Sequence, residues 1–66
     1  MGLNRRQEEV LVDMRHGGTW STGEYGEHFG VTVEDARADL RDLVSRGLVR
    51  STGERRWVRY ELAGKR

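Results

Sequence analysis

The chain has 66 residues, 35% charged and 35% hydrophobic, with no cysteine, no proline and a formal net charge of +1; this predicts one small soluble domain over 1–66, near the lower size limit for an unstapled core. Without cysteine, disulfides and thiolate metal sites are excluded and a reducing, cytoplasmic location is expected. No apolar run approaches the ~18 residues of a membrane span, and MGLNRRQEEV lacks the apolar stretch of a secretory signal.

Asn4 followed three residues later by Gln7 is a capping-box pattern, and Val10, Leu11 and Met14 recur behind it at helical spacing. These predict a first helix over about 5–15, stopped by Gly17-Gly18. Ser21 with Glu24 forms a second capping box, and Trp20 with Tyr25 a hydrophobic staple across the same helix start. The second helix is expected over about 22–29. It contains Gly26, whose cost in helix propensity implies close approach of another helix.

Gly30 suits the left-handed end of that helix, Val31 turns toward the core, and Thr32 caps a third helix expected over about 33–46. Its predicted buried stripe is Ala36, Leu40, Leu43 and Val44. Gly47 ends it. Two strands are expected over about 48–52 and 56–62 around a turn at Gly53-Glu54. Strand alternation places Val58, Tyr60 and Leu62 inward and Trp57, Arg59 and Glu61 outward; the Trp57 indole then either packs against the first helix or the tail, the more frequent outcome, or stacks on a partner.

Two helices joined by a Gly-containing turn make a helix-turn-helix. A preceding helix and a following hairpin extend it to a winged helix, a small α+β domain of three helices and a two-stranded antiparallel wing. FGVTVEDARADLRDLVSRGLVRSTG resembles the DeoR-type winged helix, with its Phe-Gly-Val-Ser, its Arg-Asp-Leu in the third helix, then Gly-Leu and a basic wing. Leu3-Asn4-Arg5-Arg6-Gln7 is similar to the opening of the C-terminal winged helices of Fic-domain proteins. The likeness covers about residues 3–62.

That resemblance implies duplex DNA binding in transcription regulation or control of a mobile element, with the third helix in the major groove. Carried over by position, Thr32, Val33, Arg37 and Arg41 are the implied helix contacts, beside Glu34 and Ala38. Arg50, Arg55, Arg56 and Arg59 are the implied wing contacts. Charge along the chain is uneven: residues 1–49 hold six basic side chains against nine acidic, a balance of −3, and residues 50–66 hold six against two, a balance of +4. The clustering favours an anionic partner at the wing.

The third helix departs from a simple basic surface, because Glu34, Asp35, Asp39 and Asp42 stand against Arg37, Arg41 and Arg46. One alternative pairs Arg37 and Arg41 with Asp35, Asp39 and Asp42 as a solvated helix surface. A second takes the domain as a protein-contact or homodimerisation module without DNA. Glu24 and His28 have a metal-compatible spacing without a third ligand, no phosphate-binding glycine loop occurs, and no nucleophile–base set is present. Neither an enzyme nor a cofactor is therefore expected.

Overall fold

Each helix of the chain starts at a side chain that satisfies otherwise unpaired backbone N–H groups, as seen in a computed structural model that describes residues 2–54 and 57–64. Helix α1 (Arg5–Arg15) begins with Asn4 Oδ1 accepting from the Gln7 N–H at 2.8 Å, while Gln7 Oε1 accepts from the Asn4 N–H at 2.9 Å. Helix α2 (Thr22–Phe29) repeats the reciprocal arrangement with Ser21 and Glu24. Helix α3 (Val33–Ser45) begins with Thr32 Oγ1 accepting from the Asp35 N–H at 3.0 Å. Such caps each contribute about 1 kcal/mol, a useful share for so short a chain.

The turn between α2 and α3 is fixed by two glycines. Gly30 takes a left-handed φ of 69°, and the Val31 N–H closes on Gly26 O at 3.0 Å. A Cβ on Gly26 would lie 3.0 Å from Val31 O. The expectation of a close helix at Gly26 is thus corrected: the approaching group is the backbone of the adjoining turn.

Strands β1 (Val49–Thr52) and β2 (Arg59–Leu62) pair antiparallel, with Val49 opposite Leu62 and Thr52 opposite Arg59. The connection covers 53–58, longer than the turn expected from sequence, and Trp57 and Val58 precede β2 instead of lying within it. Trp20 adds an isolated antiparallel bridge to Tyr60, its N–H and carbonyl each bonded to Tyr60, at 3.0 and 2.7 Å. The segment leading into α2 is thereby stitched to the wing.

The core gathers Val10, Leu11 and Met14 from α1, Tyr25 from α2, Ala36, Leu40 and Leu43 from α3, and Val49 from β1. Leu3, Trp20, Phe29, Val31, Tyr60 and Leu62 pack around it. Val44, expected inside, is 38% exposed. It lies one residue, a rotation of about 100°, beyond Leu43 and so past the edge of the buried stripe. Three helices followed by this two-stranded sheet are a winged helix-turn-helix. No helix among the described residues is long and apolar enough to cross a membrane.

Candidate nucleic-acid interface

The exposed side of α3 follows from its buried side. At about 100° per residue, Glu34, Arg37, Ala38 and Arg41 fall on one stripe, opposite Ala36, Leu40 and Leu43. All four are exposed. Val33 is half exposed, and Thr32, although its hydroxyl caps the helix, is exposed as well. Arg37 and Arg41 make no hydrogen bond or ion pair with any described residue. The alternative in which Asp35, Asp39 and Asp42 pair with them is corrected: no such ion pair forms among the described residues, and Asp39 and Asp42 are engaged elsewhere.

Asp39 is buried, 7% exposed, and faces α1. Its carboxylate accepts from Arg6 Nε at 2.7 Å, Tyr25 Oη at 2.9 Å and Asn4 Nδ2 at 3.0 Å. Burial alone pushes its pKa up, but the hydrogen bonds from Arg6, Tyr25 and Asn4 outweigh that and hold it below the usual carboxylate range. The same contact raises the Arg6 pKa, while burial, and then the bond to Asp39, raises that of Tyr25.

Asp42 accepts from Arg46 Nε at 2.8 Å and Gln7 Nε2 at 2.9 Å, and these two bonds, the arginine's first, lower its pKa. Gln7 Nε2 also donates to Asp39 O, so one α1 side chain ties down two points of α3. Two of the four acids are thus consumed in binding α3 to its neighbours. A signal for Asp39 is present in its spacing: three residues after Ala36 and four before Leu43, it belongs to the buried stripe by the same periodicity.

The wing arginines are differently placed. Arg50 lies within 2.6 Å of Glu61 across the strand pair. Arg59 reaches back to α2, donating to Glu24 Oε1 at 2.8 Å and to Thr19 Oγ1 at 2.8 Å. The Glu24 pKa is lowered by Arg59 first and the Ser21 N–H second. Both strand arginines therefore already hold carboxylates. Arg55 and Arg56 lie outside the described residues. Trp57, 76% exposed, sits in the wing connection with its N–H bonded to Glu54 O at 2.8 Å.

Trp20, Tyr25, His28 and Phe29 form one cluster. Trp20 meets Tyr25 edge-on at 6.2 Å, as a staple requires, and donates its indole N–H to Asp13 at 2.8 Å. His28 lies edge-on to Trp20 and Phe29. A hollow of about 450 Å³ opens here, lined by Asp13, Thr19, Trp20, Glu24, Glu27 and His28. Its three carboxylates oppose a phosphate ligand. Among the described residues no group of three His, Cys, Asp or Glu side chains is placed to hold a metal ion.

No protein-family model matches this sequence, and no curated protein matches it. Among solved structures, the chain is similar to the crystal structure of Rv1404 from Mycobacterium tuberculosis, with a TM-score of 0.79 at 18% identity. The match covers 96% of this chain and 45% of that one, so this chain spans less than half of Rv1404. At that identity the likeness is one of fold.

Proposed function

We propose that the domain binds duplex DNA through the exposed stripe of α3, as part of a regulator of transcription or of a mobile element acting in the cytoplasm. The observation that carries this reading is the pair Arg37 and Arg41, exposed, one helical turn apart and without an intramolecular partner among the described residues. An arginine fork can take guanine O6 and N7 or a phosphate, and two such forks on one turn suit the major groove. Turning Asp39 and Asp42 toward α1 and Arg46 removes two carboxylates from the approach path of phosphates.

The wing has a smaller part in this reading than its sequence charge implies, because Arg50 and Arg59 would have to leave Glu61 and Glu24 to reach a phosphate. The resemblance to DeoR-type domains supports the same assignment. Titration of the labelled protein with mixed-sequence duplex at two salt concentrations tests it. Amide shifts are expected at Thr32, Val33, Arg37 and Arg41, shrinking as salt rises. Arg37→Ala and Arg41→Ala are each expected to weaken binding by about 1–3 kcal/mol. A duplex that shifts no resonance at micromolar protein and low salt overturns the proposal. Concentration-dependent shifts without DNA would instead favour a protein-contact or homodimer module.

A further inference from the structure

The exposed stripe of α3 is not uniformly basic. Glu34 stands on it, three residues before Arg37 and seven before Arg41, exposed and without a hydrogen-bond or ion-pair partner among the described residues. The other acids of the helix are accounted for differently. Asp39 and Asp42 are engaged by Arg6 and Arg46, and Asp35 lies about 100° around the helix from Glu34, on the side of Asp42. Favourable placement in the first helical turn explains why a carboxylate is tolerated at 34. It does not explain why one shares the exposed stripe with the two arginines.

We infer that Glu34 determines sequence selectivity, accepting a hydrogen bond from the exocyclic N4 amino group of a cytosine beside the guanines taken by Arg37 and Arg41. This rests on the DNA-binding reading above and specifies its site. A carboxylate has acceptors only, so on a base edge it pairs with an amino group and is repelled by guanine O6, by N7 and by every phosphate. Glu34 therefore penalises each register in which no amino group meets it, while the arginines alone tolerate any phosphate-rich surface. Ala38, between the forks, leaves the close approach open that such a contact needs.

The test is selection from a randomised duplex pool by the full chain and by Glu34→Ala, Glu34→Gln and Arg37→Ala. Wild type is expected to enrich a motif in which cytosine neighbours guanine. Glu34→Ala should lose the cytosine preference, keep the guanines and bind mixed-sequence duplex severalfold more tightly. Glu34→Gln should move the preference from cytosine toward adenine, which an amide reads through N6 and N7. Thermal unfolding of all variants, expected to stay within several degrees of wild type at these exposed positions, separates selectivity from folding. A motif unchanged by Glu34→Ala overturns the inference and leaves DNA binding standing, as does tight wild-type binding with no motif enriched. Failure of wild type to bind any duplex overturns both.

Discussion

Asp39 shows how a single side chain can belong to the core and still shape the surface. Its carboxylate collects donors from α1 and α2, Arg6, Asn4 and Tyr25, and so sets where α3 lies against both. Arg6 remains 36% exposed, so part of the pair's attraction is screened by water. Removing the acid still strands the buried tyrosine hydroxyl. Asp39→Ala is expected to cost about 2–3 kcal/mol, a large share of the ~3–10 kcal/mol typical of this length. Tyr25→Phe should cost only about 1 kcal/mol, because Asp39 keeps Arg6 and Asn4. Chemical denaturation at neutral pH distinguishes the two. A cost for Asp39→Ala no larger than for Tyr25→Phe would show that the arginine and asparagine contacts contribute nothing.

The same residue predicts an acid limit. The pKa values of Asp39, Asp42 and Glu24 are all lowered in the folded state. The unfolded chain therefore takes up protons first as pH falls, and the stabilisation, fully present above the unfolded values, is lost on going below about pH 4 toward the folded ones. The melting temperature should be flat from neutral pH to about pH 5 and fall below that. In Asp39→Asn the fall should be shallower. An identical profile in wild type and variant would remove Asp39 from the account.

At the scale of elements, the glycines of α2 separate propensity from packing. A Cβ at Gly23 would meet nothing within 4 Å, whereas one at Gly26 would lie 3.0 Å from the Val31 carbonyl oxygen. Gly23→Ala is expected to stabilise by about 0.5 kcal/mol through helix propensity and a less flexible unfolded chain. Gly26→Ala should lose that gain to the clash with the turn, and Gly26→Val should lower the melting temperature by several degrees, about 4–8 °C per kcal/mol at this size. If Gly26→Ala stabilises as much as Gly23→Ala, the turn does not need the glycine.

These elements were legible because caps and stop signals are local. Asn4, Ser21 and Thr32 mark helix starts within a few residues of themselves, and each cap forms as its pattern predicts. The wing was legible only in outline. Strand alternation gives a parity but not a start, and the pairing of Thr52 with Arg59 leaves Trp57 in the connection. The partners of Arg50, Arg59 and Asp39 are 11, 35 and 33 residues away, at Glu61, Glu24 and Arg6. No local pattern joins residues so separated, and the Trp20–Tyr60 bridge was hidden for the same reason. Among the described residues, sequence charge therefore overstated the free basicity of the wing strands and understated that of α3.

For the whole molecule, the net charge of +1 is less informative than the number of cations free to displace counterions. Six arginines are candidates, Arg37 and Arg41 on α3 and Arg50, Arg55, Arg56 and Arg59 in the wing. If all six met phosphates, the logarithm of affinity would fall with the logarithm of salt at a slope of about −5.4. Arg50 and Arg59 already hold Glu61 and Glu24, and exchanging one carboxylate for a phosphate releases little. The slope should then be no steeper than about −3.6. Glu61→Gln supplies the internal control, since it frees the Arg50 guanidinium, which is 63% exposed, without disturbing the core. If the wing lies along the phosphates, this variant should bind more tightly at low salt and steepen the slope by about one unit. A slope unchanged by Glu61→Gln would place Arg50 away from the DNA backbone and leave α3 as the principal basic contact surface among the described residues.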